Sequence, residues 1–377
     1  MTPRSRRGAA RWAAPPQPIP PRVDVLIPTA GRPAELAVTL AGLAAQDDPP
    51  FAVVVSDQSD EAVSEQPAVR AMARVLEAQG RPVRFHRHLP RRGMAEQRQF
   101  LLDLAGAPRV LFIDDDVWLE PGSLARLDAA MTETGCGFVG FAVQGLSYLD
   151  DVRPDETAGF EAWKAGRVAP ERVRPWSRSF ERWRLHNAAN PTHLAAQRRL
   201  DDDDRVAYRV AWIGACAMFD RGALLEAGGF DFWPELPPEH AGEDRVAQWR
   251  VMERRGGAGI LPSGAVHLES PTTVVDRRCE ASDVVFPRDE QKPSRSPDGE
   301  HGAHSRAEEK ERPMTEHPNP VQIQKYLGGV DYPASKSDIV DTARKAGAAP
   351  DVVAALERIE DTEYDGPTAV SSAVASA

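Results

Sequence analysis

The feature of this sequence that most constrains its fold is a regular alternation of short apolar runs with amphipathic stretches between residues 23 and 113. The apolar runs have the length and the β-branched or aromatic content of buried strands. They are Val23–Ile27, Phe51–Val55, Val83–His86 and Val110–Ile113. The stretches between them carry apolar residues at helical spacing, as at Leu36, Leu40 and Leu43. This alternation predicts βαβ units, and therefore an α/β fold with a mostly parallel sheet flanked by helices.

Three consecutive aspartates, Asp114, Asp115 and Asp116, follow directly on the fourth predicted strand. Sheets of this kind bind ligands beyond the carboxyl ends of their strands. Neighbouring carboxylates repel one another, and a hard divalent cation completed by substrate phosphate oxygens would offset that repulsion. The alternative is a polar loop of solvated aspartates. That second interpretation is favoured for the run Asp201–Asp204, because no predicted strand precedes it.

Two other strand ends carry polar residues. Pro28, Thr29 and Arg32 lie between the first strand and the first helix, where backbone amides attract phosphate and Arg32 would reinforce them. An ordinary strand-to-helix turn explains these residues equally well. Asp57 lies just past the second predicted strand, where it would bind a ribose or a base, with a local Asx-turn as the alternative.

Two further candidates lie in the later part of the chain. Glu243 and Asp244 open a predicted helix, as acidic residues often do for reasons of the helix dipole, but a general base is also a carboxylate fixed on a rigid element. His267 ends a short apolar run. It is either a structural histidine or a metal ligand.

Composition narrows the functional classes. The chain has 377 residues and a formal net charge of −11, which argues against non-specific binding of nucleic acid. Its three cysteines are far apart and show no metal-ligand spacing, so we expect a reducing, cytoplasmic location. No apolar run approaches the roughly 20 residues that a membrane-spanning helix needs.

The composition also suggests boundaries. Residues 1–21 combine arginines with prolines and predict a disordered arm, for which weak contact with an anionic membrane surface is an alternative. Residues 22–286 would form the α/β domain. Residues 287–317 are rich in Pro, Ser and charged residues and almost free of apolar ones, which predicts a disordered linker. Residues 318–377 would form a small helical domain.

Five segments in this order resemble the family-2 glycosyltransferases of the GT-A type. They are Val25–Thr29 with Arg32 and Pro33, the segment 54–60, Phe112–Asp116, Gly228–Asp231, and Glu243 with Asp244. The likeness covers about residues 22–275 and implies a GT-A, Rossmann-like sheet. Residues 318–374 are similar to a small bacterial domain of unknown function, which implies no chemistry.

The resemblance also implies roles for individual residues. The nucleotide-sugar would be bound by Pro28, Thr29, Arg32, Asp57, Asp114 and Asp115. A divalent ion, Mn²⁺ or Mg²⁺, would be held by Asp114, Asp116 and His267. Asp244 would be the catalytic base with Glu243 beside it. The chain departs from the family at Ser56-Asp57-Gln58, where Asp-Asp-Gly is common, which weakens the role of Asp57.

The function that follows is a metal-dependent, inverting transfer of a sugar from a nucleotide-sugar to an acceptor hydroxyl. The sequence does not identify the acceptor. The irregular stretch 145–209, with Trp163, Trp176 and Trp183, is the expected acceptor region. Two alternatives stand beside it. One is a nucleotidyltransferase, which needs a basic phosphate grip where only Arg32 is evident. The other is a non-catalytic nucleotide-sugar-binding protein.

Overall fold

A computed structural model describes residues 19–164, 167–201, 204–272 and 278–287, and in the C-terminal part 330, 333–348, 350–364, 366, 370 and 373–374. The chain divides into two compact units, residues 1–294 and 295–377. Most of the predicted arm and nearly all of the predicted linker lie outside the described residues. No helix within the described ranges is long and apolar enough to cross a bilayer.

The described part of the first unit contains eleven strands. They are β1 (Val23–Thr29), β2 (Phe51–Asp57), β3 (Val83–Arg87), β4 (Arg109–Ile113), β5 (Val117–Leu119), β6 (Phe138–Gly140), β7 (Gln144–Gly145), β8 (Val206–Tyr208), β9 (Cys216–Asp220), β10 (Gly257–Leu261) and β11 (Ala265–His267). Eight of them form one sheet in the order β3-β2-β1-β4-β9-β6-β10-β8. Only β9 and β8 run against the others. The predicted mostly parallel sheet is therefore confirmed.

Helices cover both faces of this sheet. They are α1 (Pro33–Ala44), α2 (Pro67–Ala78), α3 (Met94–Leu104), α4 (Ser123–Thr134), α5 (Pro154–Thr157), α6 (Asn190–Arg198), α7 (Arg221–Glu226), α8 (Glu243–Arg255) and α9 (Ala281–Val285). Alternate residues of β4 enter two separate apolar cores: Leu111 packs with α1 and α4, whereas Phe112 packs with α3 and α8. This period of two is what a strand buried on both faces requires.

The stretch that precedes β9 differs from expectation. Apolar residues 210–219 predict one strand, but the strand begins only at Cys216. Side chains of α8 take over the backbone hydrogen bonds of the earlier part, since Gln248 bonds to both the N–H and the C=O of Ile213 at 2.7 Å. The Trp249 indole donates to the Ala211 carbonyl at 2.8 Å. The chain can therefore leave the sheet here and line a cleft instead.

The second unit is small. Its described residues form β12 (Ala334–Ser335), α10 (Lys336–Lys345), α11 (Pro350–Leu356) and β13 (Glu363–Tyr364). The sequence predicts four short helices here, over 321–327, 338–346, 351–359 and 368–374, and the two described helices lie close to the second and third. The first predicted helix and most of the fourth lie outside the described residues. The antiparallel pair β12–β13 corrects the expectation of an all-helical domain. The Ser335 hydroxyl caps α10 by accepting from the Asp338 amide at 3.3 Å.

Candidate active site

A cleft of about 510 Å³ opens at the carboxyl ends of β1 and β4, beside the start of α8. This is the edge of a parallel sheet at which ligands bind. The predicted site residues that line it are Pro28, Thr29, Arg32, Asp114, Asp115, Asp116, Glu243, Asp244 and His267. Segments more than two hundred residues apart in sequence therefore meet in one place, and only Asp57 among the predicted site residues is missing from the lining.

Asp115 is the innermost of the three aspartates. One carboxylate oxygen accepts from the Thr29 hydroxyl at 2.6 Å, and the other lies 3.1 Å from an Arg32 nitrogen. Its backbone carbonyl accepts from the Thr39 hydroxyl at 2.7 Å. Burial raises the pKa of Asp115 to about 7, although Thr29 and Arg32 oppose the shift. Asp115 thus connects β1 and α1 to the loop formed by residues 114–116, which we call the aspartate loop.

Asp116 faces two cationic or proton-donating groups. Its Oδ2 accepts from Arg32 and lies 3.3 Å from Nε2 of His267. Burial alone would raise the pKa of Asp116, but the hydrogen bonds and charges of His267 and Arg32 outweigh it and hold that pKa below its ordinary value. Asp116 is therefore an ionised carboxylate at neutral pH.

The ring of His267 is oriented by a second contact. Its Nδ1 accepts from the backbone N–H of Glu269 at 2.8 Å. A neutral imidazole with an accepting Nδ1 carries its proton on Nε2, so Nε2 donates to Asp116 in this state. His267 would ligate a metal through Nε2 only in the other tautomer, after giving up the Glu269 contact.

Asp114 is connected to the start of α8 by a buried arginine. Arg98 of α3 places Nη2 at 3.0 Å from Asp114 Oδ1 and Nε at 3.0 Å from Glu243 Oε1. The side chains of Arg98 and Glu243 are each 7 % exposed, whereas that of Asp114 is 36 % exposed. The Asp114 carboxylate is thus the more exposed of the two, whereas the Glu243 side chain is mostly buried against Arg98.

Asp244 lies half-buried in the first turn of α8. Gly242, at φ 79°, precedes the helix, so no side chain caps this end. One Asp244 oxygen accepts from the Arg245 amide at 2.7 Å. Burial raises the pKa of Asp244 to about 6, helped by the neighbouring Glu243 carboxylate. A carboxylate with this pKa is ionised at pH 7 and is more basic than an ordinary aspartate.

Asp57 lies outside the cleft lining. Its carboxylate is buried in its own loop, where it accepts from the amides of Ser59 at 2.8 Å and Val63 at 2.9 Å. Arg87 of β3 donates to it at 3.0 Å. The contacts with the Ser59 and Val63 amides are those of a local turn. Such a turn was the alternative to a contact with the nucleotide base. The turn explains the residue without a ligand.

The cleft lining also includes residues that sequence reasoning did not single out, among them Arg98, Trp212 and Arg245. A signal for Arg98 exists, because it lies three residues from Ala95 and from Leu101 on the buried face of α3, where a charge is out of place. Trp212 gives no such signal. The tryptophans of the expected acceptor region, Trp163, Trp176 and Trp183, do not line the cleft.

The residues of the cleft fit a divalent cation only if the substrate completes its coordination. Among the described residues, no three His, Cys, Asp or Glu side chains are grouped as a complete metal site. Mg²⁺ and similar ions, however, are commonly held by one or two carboxylates together with substrate phosphates. The cleft lining contains six carboxylates and only three arginines, so an anionic diphosphate needs added positive charge to bind there. The ionised Asp116, with Asp114 beside it, fits a substrate-completed ion.

Two segments of the chain match known protein families. Residues 24–206 match the model of the family described as glycosyl transferase family 2, and residues 318–371 match that of a protein of unknown function, DUF2795. Over residues 24–206 the chain is therefore similar to glycosyl transferase family 2. The matched range includes the three aspartates but ends before Glu243, Asp244 and His267. A comparison with curated proteins gave no match.

Solved structures give more distant likenesses. S. aureus TarS 1–349 is 18 % identical with a TM-score of 0.43, over 65 % of this chain and 60 % of that one. Its complex with UDP-GlcNAc gives 16 % and 0.44, over 67 % and 60 %. The mannosyltransferase PcManGT from Pyrobaculum calidifontis, in complex with GDP-Man and Mn²⁺, gives 21 % and 0.42, over 71 % and 64 %. The chain thus spans less than two thirds of the length of each.

Proposed function

We propose that the N-terminal domain transfers a sugar from a nucleotide-sugar to an acceptor hydroxyl, with inversion at the anomeric carbon and dependence on a divalent cation. The observation that carries this proposal is one cleft lined by two carboxylates, Asp116 and Asp244, whose pKa values are shifted in opposite directions. Asp116 is held ionised by cationic neighbours, whereas Asp244 is made more basic by burial. The family match supports glycosyl transfer over nucleotidyl transfer and over binding alone.

The nucleotide-sugar would bind at the carboxyl ends of β1 and β4. Pro28 and Thr29 border this part of the cleft, and Arg32 lies beside Asp116 with its side chain 14 % exposed. A divalent ion held by Asp116 and Asp114 would supply positive charge to the diphosphate as it leaves. Arg32, paired with two aspartates, contributes to the same balance of charge.

The acceptor would approach from the side of α8. Asp244 takes the proton from the acceptor hydroxyl, and that oxygen forms a bond to the anomeric carbon while the bond to the nucleoside diphosphate breaks. A single displacement of this kind inverts the anomeric carbon and needs no covalent intermediate. Glu243 is turned toward Arg98 and does not share the proton transfer in this arrangement.

The test is a panel of UDP-, GDP-, dTDP- and CDP-sugars assayed for donor hydrolysis and for transfer. Each is run with Mn²⁺, with Mg²⁺ and in excess EDTA, and Mn²⁺ is then restored. We expect turnover of at least one donor, its loss in EDTA and its recovery with metal. The anomeric configuration of the product, read by NMR, should be opposite to that of the donor. Full turnover in excess EDTA would show that transfer does not need a metal. A product with the anomeric configuration of the donor would show that transfer does not invert the anomeric carbon.

A further inference from the structure

We propose that Arg98 is a positioning residue: it holds the donor-side carboxylate Asp114 and the acceptor-side residue Glu243 in a fixed relation, and so sets the geometry in which Asp244 works. The inference rests on the proposed function and adds a residue to it. Arg98 comes from α3, whereas Asp114 follows β4 and Glu243 begins α8. One side chain therefore joins three elements of the fold at the floor of the cleft.

The geometry of the contacts is directional. The two bonds use different nitrogens of one guanidinium group, Nη2 toward Asp114 and Nε toward Glu243, and each is 3.0 Å long. A planar guanidinium presents its donors at fixed angles, so it fixes both partners relative to each other. The Phe112 ring lies 5.6 Å from the guanidinium carbon. Phe112 is itself packed edge-on against Phe230 at 5.3 Å.

The charge of Arg98 is also required at this position. Asp114, Glu243 and Asp244 lie close enough to act on it together. Burial opposes its charge, but these three carboxylates outweigh burial and hold the pKa of Arg98 above its ordinary value. Without that cation, Glu243 would be a buried carboxylate with no counter-charge. The direct link between the loop after β4 and the first turn of α8 would then be lost.

The consequence for catalysis is specific. Arg98 keeps Glu243, and with it the first turn of α8, in register with the aspartate loop. Asp244 is the next residue of that turn, so its distance from a bound donor depends on the same link. A misplacement of about 1 Å at a reacting group can lower turnover roughly a hundredfold while leaving ligand binding intact.

The experiment compares Arg98→Lys with the matched control Arg109→Lys. Arg109 is a second arginine with a mostly buried side chain, paired with Asp128 away from the cleft lining. Affinity is measured by calorimetry with UDP and GDP in the presence of Mn²⁺, turnover with the donor that wild type accepts, and folding by thermal unfolding. For Arg98→Lys we expect kcat to fall about a hundredfold with Kd within about threefold of wild type. Arg109→Lys should keep both.

Glu243 variants provide the second arm if Arg98→Lys does not fold. Glu243→Gln keeps an oxygen acceptor for Arg98 Nε, whereas Glu243→Ala removes it, so the Gln variant should retain at least about ten times more kcat. Equal losses in the two variants would overturn the inference, as would a normal kcat in Arg98→Lys. Parallel losses of kcat, affinity and stability in Arg98→Lys would show a structural role only and also overturn it. Absence of turnover in wild type would instead refute the proposed function itself.

Discussion

Two walls of the same cleft use the same residue type in opposite ways. On the β4 wall, Asp116 meets Arg32 and His267, which keep it ionised and hold its pKa low. On the α8 wall, burial and the adjacent Glu243 raise the pKa of Asp244 to about 6. Environments that push the pKa values of two carboxylates apart are a mark of divided roles in an active site. We therefore propose charge stabilisation as the role of Asp116 and proton transfer as the role of Asp244.

The largest effect is expected on the β4 wall. Asp116→Asn removes the ionised carboxylate and should abolish metal-supported turnover, a loss of about 10³- to 10⁴-fold if the ion supplies several kcal/mol. Affinity for UDP or GDP should become insensitive to Mn²⁺ in calorimetry. A variant that keeps Mn²⁺-dependent binding and turnover would show that Asp116 does not hold the metal, and the proposed contrast with Asp244 would then be wrong.

A smaller loss, of another kind, is expected on the α8 wall. Asp244→Asn should lower kcat by about a hundredfold or somewhat more, as removal of a general base does, while binding of nucleotide and metal stays near wild type. Asn can keep the local contact to the Arg245 amide, so the helix start should survive, and circular dichroism would check this. Normal transfer by the variant would mean that Asp244 serves the helix and not the reaction.

The pH profile sharpens the same contrast. A base acts when deprotonated, so kcat/KM should fall about tenfold per pH unit once the pH drops below the Asp244 pKa of about 6. An ordinary aspartate would place this acid limb about two units lower. In Asp244→Asn, the limb near pH 6 should vanish from the residual activity. A wild-type rate that stays flat down to pH 4.5 would show that no base with a raised pKa limits the reaction.

Substitution of Asp57 distinguishes a structural role, which would change stability, from a binding role, which would change nucleotide affinity. Asp57→Asn should cost about 1.5 kcal/mol or more of unfolding free energy, because its buried carboxylate accepts charge-assisted bonds within its loop. Loop hydrogen bonds and Arg87 outweigh burial and lower its folded pKa, so this stabilisation is present above the unfolded pKa of about 3.9 and lost as pH falls further. Urea unfolding at pH 7 and pH 3 measures it. A large rise in nucleotide Kd with unchanged stability would instead support the predicted contact between Asp57 and the base.

The smallest effect is expected from the C-terminal part. We propose that residues 22–286 form the catalytic domain and that 318–377 is a separate module, since the composition of 287–317 cannot build a core. Light proteolysis should cut within 287–317, and residues 1–286 should keep donor turnover within about twofold of the whole chain. A folded fragment without turnover would place part of the site in the C-terminal module. The cytoplasmic location likewise stays a prediction.

The sequence by itself determined the order of strands and helices between residues 23 and 113, because side-chain periodicity is local. It also located Asp114–Asp116 at a strand end and Glu243–Asp244 at a helix start. In an α/β sheet those positions share one edge, so the site could be predicted without coordinates. Later in the chain the sequence was less informative. The strand predicted over 210–219 begins only at Cys216, because side chains of α8 provide the backbone partners of the earlier residues.

Only the tertiary structure decided which neighbours each carboxylate has. Arg98 bonds to Asp114 and to Glu243, which lies 145 residues further along the chain than Arg98, and no periodicity in α3 predicts these partners. The same holds for Asp57, whose carboxylate is used within its own turn and by Arg87. The pKa of a carboxylate depends on burial and on charges a few ångströms away, and these are set by packing between distant segments. For that reason, Asp116 and Asp244 look alike in the sequence and differ in the folded protein.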